Sequence, residues 1–161
     1  MQQKIDMTDC RDQSAEEALA EKLVEVACAL NKRCGMRASH SHNGPQEYSG
    51  FSVHLEGLRS AIYAPLQIFF GQAAYDSPFE RAAALIVNIA QGHHFGDGNK
   101  RTALHLGLFY LSMLGIKIDR PSDEAAAAWM QELVTSRIPR KTTIINAGRK
   151  LRQWSDPTAT T

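Results

Sequence analysis

The sequence predicts an all-α domain of about five or six helices with one short extended flap or hairpin, and three observations support this class. Apolar residues recur at helical spacing in several segments. Serine, proline and glycine lie between those segments, at positions where helices begin or end. The alternation of apolar and polar residues that is typical of strands occurs in one run of five residues, which is too short for a sheet.

The first predicted helix begins at a capping box, in which Ser14 is followed three residues later by Glu17. Gly35 is expected to end this helix, because glycine commonly follows the last helical turn. The polar stretch 36–50 is rich in turn-forming residues and predicts a long exposed loop. The alternating run comes next and predicts a short strand or extended flap; its members are Phe51, Ser52, Val53, His54 and Leu55.

The middle of the chain predicts a short helix and then a longer one. One or two helical turns are expected over 58–63, and Pro65 should interfere with their continuation because proline lacks a backbone N–H. Ser77, Pro78 and Glu80 stand in the preferred order of N-cap, first-turn proline and N3 carboxylate. This order predicts a helix that ends at Gly92.

The last part of the chain predicts three helices. The segment 100–114 is apolar on nearly every side, which is typical of an enclosed helix, and Gly115 should end it. After a brief extended stretch at 116–118, Ser122 is expected to cap a helix through Leu133. A last helix should begin at Thr142 or at the next residue and continue to position 154.

Composition bounds the class of protein. The 161 residues, 43% of them apolar, suffice for one domain, which we expect to span 1–161 with a core of about 50–151 and flexible segments at 1–13 and 155–161. A formal net charge of +1 does not favour binding to nucleic acid. Neither a signal peptide nor a membrane-spanning run is evident, and three cysteines without metal-ligand spacing suit a reducing compartment. A soluble cytoplasmic protein is therefore expected.

The segment between the two best-marked helices, 92–101, combines residue types that suit phosphate chemistry. Gly96 and Gly98 allow the backbone to turn and approach a ligand, so that free N–H groups at the following helix start can bind an anion. Lys100 and Arg101 lie in the first turn of that helix, where positive side chains oppose the helix dipole. A bound anion would resolve this conflict.

The same segment also offers a metal ligand and a general base. Asp97 supplies the hard oxygen that Mg²⁺ prefers when it is shared with nucleotide phosphates. His93 can accept a proton from a hydroxyl near neutral pH. Phe95 should anchor the loop in the core, and Asn99 could hold either the loop or the phosphoryl oxygens. Taken singly, each residue fits an ordinary solvated loop, but that interpretation leaves two cations at the wrong end of a helix.

These residues resemble the signature of the Fic/Doc (Fido) family, which reads His, any residue, Phe, any residue, Asp or Glu, Gly or Ala, Asn, Gly or Lys, Arg. All seven specified places are filled, by His93, Phe95, Asp97, Gly98, Asn99, Lys100 and Arg101. The segments 57–61, 65–67 and 80–85 are similar to those that precede the motif in Doc-type death-on-curing proteins. The resemblance covers roughly 50–151.

The resemblance implies a Fido fold that binds ATP with Mg²⁺ and modifies a hydroxyl of a target protein. It implies that His93 is the base, that Asp97 is the metal ligand, and that Lys100 and Arg101 clamp the phosphates. Gly98 and Asn99 would form part of the anion nest, and the glycine-rich composition of the loop by itself adds Gly96 to the expected phosphate-binding residues. The predicted flap at 51–55 would align the target segment by strand addition.

One position separates two reactions within the family. AMP-transferring members commonly have glycine where this chain has Lys100, whereas Doc-like members have lysine there and transfer the γ-phosphate. We therefore expect a Doc-like toxin kinase that acts on a translation factor such as elongation factor Tu and is restrained by a separate antitoxin. An AMP-transferring enzyme and a catalytically inactive Fido module remain alternatives. A pattern typical of inhibitory helices, formed by Ser52, Glu56 and Gly57, is expected to be accidental because it falls in the predicted flap.

Overall fold

The structure is a computed structural model that describes residues 7–39 and 51–155, with side chains for 14–35 and 51–155. Six helices occur in these ranges, which confirms the all-α prediction. They are α1 (Met7–Ser39), α2 (Leu55–Leu66), α3 (Pro78–Gly92), α4 (Asn99–Met113), α5 (Asp123–Thr135) and α6 (Arg140–Trp154). A hairpin of two residues per strand lies between α2 and α3, with β1 (Ile68–Phe69) antiparallel to β2 (Gln72–Ala73).

Helix α3 forms the centre of the domain. It packs against α2, α4, α5 and α6, while α1 covers α2 and α4 from the other side. Six consecutive α3 residues, from Ala82 to Val87, are fully buried, which requires neighbours all around the helix. The sequence indicated α4 as the enclosed helix, but α4 leaves Met113 about half exposed at its end. The most enclosed helix is therefore α3, and its C-terminus leads directly into residues 93–98, the first part of the glycine-rich segment.

Several predicted helix ends are confirmed by hydrogen bonds. The Ser77 hydroxyl accepts from the Phe79 N–H at 3.2 Å, and the Ser122 hydroxyl accepts from the Ala125 N–H at 3.2 Å. Gly115 follows α4 in the left-handed conformation, with φ of +76°. These caps depend on residues within one turn, which is why the sequence located them correctly.

Two predicted boundaries of α1 are wrong. The helix begins before Ser14 and continues through Gly35 to Ser39, so neither the capping box nor the glycine marks an end. A glycine inside a helix costs only about 1 kcal/mol, and the buried side of α1 against α2 and α4 offsets that cost. Residues 36–39 of the predicted loop are helical, and 40–50 lie outside the described residues.

Helix α2 is longer than predicted because it includes Pro65. A proline leaves the carbonyl four residues earlier without its helical donor, here that of Ala61. The Asn88 side chain of α3 donates to this carbonyl at 3.2 Å and replaces the missing bond. Helix α2 also begins at Leu55, so the last residue of the predicted flap is helical.

The remaining boundaries differ less. Helix α6 begins at Arg140, after Pro139, two residues before the earlier of the two predicted starts. The extended stretch predicted at 116–118 is present, and Ile118 forms an isolated antiparallel bridge with Ser155. Within residues 7–39 and 51–155, no helix is both long and apolar enough to cross a membrane.

Candidate functional site

The candidate loop, residues 93–98, connects the end of α3 to the start of α4. His93 follows α3 directly and is exposed, with the left-handed backbone angles φ 50° and ψ 41°. A non-glycine residue in this conformation costs about 1–2 kcal/mol, and such residues cluster at functional sites. The conformation ends α3 and turns the chain into the loop.

A pair of hydrogen bonds from one side chain closes the loop. The Asn99 amide donates to the Phe95 carbonyl at 2.9 Å, and its oxygen accepts from the Phe95 N–H at 3.0 Å. Phe95 is 4% exposed, so its ring anchors the loop in the core as predicted. Of the two roles considered for Asn99, the structure shows the loop-holding one.

The start of α4 presents backbone amides without acceptors. The first helical hydrogen bond runs from the Thr102 N–H to the Gly98 carbonyl at 3.0 Å. The N–H groups of Asn99, Lys100 and Arg101 therefore have no acceptor within the described part of the chain. Together with the helix dipole, they form a positive end suited to an anion.

The two glycines of the loop serve the turn itself. The Gly96 N–H donates to the Ser52 carbonyl at 2.9 Å, and the Gly98 N–H donates to Oδ1 of Asp97 at 2.6 Å. A Cβ on Gly96 would lie 2.8 Å from the Ser52 hydroxyl. Gly98 has φ of +76°, and a Cβ there would lie 3.0 Å from Nδ2 of Asn31. Both glycines are thus explained by close approach to other residues of the protein, and the free amides come one to three residues later.

The charged side chains around these amides are exposed. Lys100 donates from Nζ to Oε1 of Gln131 on α5 at 2.7 Å. Arg101 has neither an ion pair nor a hydrogen bond to any residue of 14–35 or 51–155. No acidic residue lies in the first turn of α4, so two cations and a helix dipole share this end without a carboxylate in that turn.

Asp97 is exposed, and its two carboxylate oxygens differ in their contacts. Its Oδ1 accepts from the Gly98 N–H, while Oδ2 has no partner among the described side chains and backbone groups. The carbonyl of Asp97 points the other way, toward α1, where it accepts from Asn31 at 2.8 Å. Across the described residues, no group of three or more histidine, cysteine, aspartate or glutamate side chains could hold a metal ion. A metal held by Asp97 would need the remaining ligands from a bound phosphate or water.

The predicted flap lies against the candidate loop. Val53 pairs with Phe95 in an isolated antiparallel bridge, and its neighbours in 51–54 belong to no helix or strand. The bridge consists of the Gly96 to Ser52 bond already described and a 2.7 Å bond from the His54 N–H to the His94 carbonyl. The backbone groups of Val53 face the opposite edge and have no partner within the described ranges. The predicted flap is therefore reduced to a single bridge, its last residue belongs to α2, and the outer edge at Val53 is open within the described ranges.

The inhibitory pattern lies partly in a helix, contrary to the expectation. Glu56 and Gly57 belong to the first turn of α2, and Glu56 is exposed. Glu56 forms no ion pair with Arg101, or with any other residue whose side chain is described. The structure therefore shows no inhibitory contact from this pattern.

His94 lies behind the loop with a half-buried ring. Its Nε2 is buried and has no hydrogen-bond partner in the part of the chain that the structure describes. Burial lowers the pKa of His94, and the nearby His54 and His93 lower it further, while a hydrogen bond with the backbone of Asn88 opposes the shift. The ring packs against Gly92, where a side chain would collide with it. His94 thus packs behind the loop, beside the exposed His93, and its burial favours the neutral form of the ring.

Sequence reasoning missed two features of this region. Asn31 occupies the buried face of α1 and contacts the loop, and its signal was a polar residue on a stripe of apolar ones. The hairpin exposes Phe70 completely at its tip, with φ of 51° followed by Gly71 with φ of 75°. Two positive φ angles are those of a two-residue hairpin turn, but phenylalanine is not a residue that predicts one.

A protein family and two known proteins resemble this chain. A family model described as Fic/DOC family matches residues 12–111, which is more than half of the chain. The chain is 33% identical to "Toxin Doc" of Mycolicibacterium smegmatis (strain ATCC 700084 / mc(2)155) over 79 residues, which cover 48% of this chain and 61% of the relative. It is 36% identical to "Protein kinase doc" of Escherichia phage P1 over 62 residues, which cover 38% of this chain and 49% of the relative. In both cases less than two thirds of the relative is matched.

Proposed function

The chain belongs to the Fic/DOC family, and we propose that it is a Doc-like toxin that transfers the γ-phosphate of ATP to a serine or threonine hydroxyl of a target protein. The observation that carries this proposal is the start of α4, where three backbone amides have no acceptor within 7–39 and 51–155 and adjoin two cations, with no carboxylate in the first turn. That arrangement suits a polyanion. The exposed His93 lies at the other end of the same closed loop.

The chain's own residues would divide the reaction as follows. His93 would accept the proton of the target hydroxyl while that oxygen forms a bond to the γ-phosphorus. The bond from the γ-phosphorus to its bridging oxygen would break, and ADP would leave with the negative charge. The amides at 99–101 and the guanidinium of Arg101 would stabilise that charge, since they are already placed before the reaction.

Asp97 fits the Mg²⁺ that accompanies ATP. Its side chain is exposed, its Oδ2 has no partner among the described residues, and its Oδ1 is held by the Gly98 N–H. Bound Mg²⁺ supplies neutralisation of the phosphate charge, as it does in other phosphoryl-transfer sites.

The choice between γ-phosphate and AMP transfer rests on the motif position of Lys100. Its ammonium extends to α5, where Gln131 holds it. Gly98, which resembles the AMP-transferring members, is accounted for by packing against Asn31 and so carries little weight for AMP transfer. AMP transfer is the second candidate, and an inactive Fido module is the third.

Target and antitoxin belong to the same proposal. The open edge at Val53 would accept one strand of the target, a translation factor such as elongation factor Tu, by backbone hydrogen bonds. Arg101, without a partner among the described residues, would pair with a carboxylate of a separate antitoxin in the inhibited state. The names of the two relatives, a toxin and a protein kinase, support this direction.

The test uses ATP labelled separately at the α- and γ-phosphates, incubated with purified elongation factor Tu and, in parallel, with cell extract. Kinase activity labels protein only from the γ position, whereas AMP transfer labels it from the α position. His93→Ala should abolish labelling, and Lys100→Gly should shift the balance between the labels. The inactive module would be favoured if neither the α-labelled nor the γ-labelled ATP labels protein and if His93→Ala does not relieve growth arrest.

A further inference from the structure

A buried amide from helix α1 lies directly behind the candidate loop. Asn31 is 2% exposed and shares the buried face of α1 with Leu23 and Ala27. Burying an unbonded amide costs roughly 2–7 kcal/mol, so a native protein keeps one only where it is bonded. The bonds that Asn31 makes therefore indicate what the residue is for.

Both donor hydrogens of Asn31 are directed at the loop and at α4. Nδ2 donates to the Asp97 carbonyl at 2.8 Å and to the Thr102 hydroxyl at 3.2 Å. These acceptors lie on either side of the three amides at 99–101 that have no acceptor in the described chain. One side chain thus holds both ends of the first turn of α4.

The bond to Asp97 also orients its carboxylate. In a planar trans peptide the carbonyl and the next N–H point in opposite directions. Because Asn31 draws the Asp97 carbonyl inward, the Gly98 N–H points outward, where it binds Oδ1 of Asp97 at 2.6 Å. The carboxylate is consequently held on the outer side of the loop with Oδ2 available.

Gly98 leaves the space that Asn31 needs. A Cβ at this position would lie 3.0 Å from Nδ2, tighter than nine in ten contacts made by real Cβ atoms. A methyl group at 98 would press on the amide that binds Asp97. Asn31 and Gly98 therefore act as a matched pair.

We propose that Asn31 is a positioning residue, which presents the Asp97 carboxylate and the free amides of α4 to ATP and Mg²⁺. The proposal rests on the proposed function for the identity of the ligand, but its structural part, the anchoring of the loop by α1, is independent of the reaction.

The test compares Asn31→Asp and Asn31→Ala with wild type and with the matched control Asn88→Ala. Aspartate has nearly the same shape but faces the two acceptor oxygens with oxygens of its own. Asn88 also donates one side-chain bond to a backbone carbonyl across a helix contact, that of Ala61, so its loss destabilises the core away from the Asn31 contacts. Nucleotide binding is titrated with Mg²⁺ using a fluorescent ATP analogue, and amide exchange is followed over 95–102 by mass spectrometry.

Both Asn31 variants should raise the Mg²⁺ concentration for half-maximal binding roughly ten-fold, which is the lower end of the effect of losing an outer-shell partner of a metal ligand. They should also accelerate amide exchange at 95–102, while Asn88→Ala leaves both quantities at wild-type values. Gly98→Ala, with Asn31 intact, should produce a shift in the same direction and serves if the Asn31 variants fail to fold. The proposal would be overturned if the Asn31 and Asn88 variants changed Mg²⁺-dependent binding and amide exchange equally. It would also be overturned if neither Asn31→Ala nor Gly98→Ala changed these two quantities.

The exchange measurement separates this proposal from the proposed function. If the wild-type protein neither binds ATP with Mg²⁺ nor transfers label, the proposed function fails, yet exchange over 95–102 still reports whether Asn31 anchors the loop. If binding occurs and only the exchange and Mg²⁺ shifts are missing, the role of Asn31 alone is refuted.

Discussion

Replacing Asn99 with alanine tests whether the closed loop is required for the anion site. The substitution removes both bonds to the main chain of Phe95, one to its carbonyl and one from its N–H. A typical hydrogen bond contributes about 1 kcal/mol net, so the two contribute about 2 kcal/mol. Alanine is the better helix former and offsets about 0.5 kcal/mol of this loss in the free energy of unfolding at the start of α4. The expected net loss in free energy of unfolding is about 1.5 kcal/mol.

Two assays measure the consequences. A loss of this size should lower the Tm by about 3–6 °C for a chain of this length, and urea denaturation gives the free energy directly. Binding of ATP with Mg²⁺, measured by calorimetry, should weaken by about ten-fold, because a loop that no longer holds its shape would lose roughly one hydrogen bond between the amides at 99–101 and the charged phosphates.

Asn99→Asp is the matched control. It keeps an acceptor for the Phe95 N–H and adds a negative charge at the start of α4, which favours the helix dipole. Its stability should therefore stay closer to wild type than that of Asn99→Ala. Its ATP binding should nevertheless be weak, since the carboxylate repels phosphate. Wild-type ATP affinity in Asn99→Ala, with the Tm lowered as expected, would refute the reasoning that the closed loop shapes the anion site.

Three further predictions concern packing, backbone strain and pH. Gly107→Ala should lower the free energy of unfolding in urea by about 1–3 kcal/mol, because the new methyl collides with Ile86 where α4 crosses α3. Adding Ile86→Val should recover part of this loss in the double variant. Strictly additive losses from the two substitutions would contradict this cause. Phe70→Asn should raise the Tm by relieving about 1 kcal/mol of left-handed backbone strain at a fully exposed position, and a lower Tm would count against that strain. Burial lowers the pKa of His94 below 6.5. As the pH falls through 6.5, the unfolded chain therefore binds a proton at this ring that the folded chain does not, and the free energy of unfolding declines. His94→Asn should therefore show a shallower fall in Tm across pH 6.5 than wild type, and an equal fall would contradict the assignment.

Much of the candidate site could be predicted from the sequence because its signals are local. Ser77 and Ser122 cap helices through groups two or three residues away. Phe95 is the one large apolar residue of the loop 93–98, so its role as an anchor is predictable from the sequence, and it is buried. The unusual position of two cations at a helix start also needed no tertiary information.

Other features required the folded chain. Pro65 remains inside α2 because Asn88 satisfies the carbonyl that proline leaves unpaired. Glu56 lies on a helix because α2 begins at Leu55, immediately after the segment that pairs with the candidate loop. The hairpin between α2 and α3 has two residues per strand and places phenylalanine at a left-handed position, so its sequence carries no usual turn signal.

The sequence by itself determined the helical class, most of the helix caps and the residues that make up the candidate loop, because those depend on neighbours within a turn or two. Only the tertiary structure decided how the loop is held. Asn31 reaches partners 66 and 71 residues further along the chain, and these contacts orient the Asp97 peptide and flank the free amides of α4. No local pattern specifies such a bond, since it exists only when α1 packs against α4 and buries the amide between them.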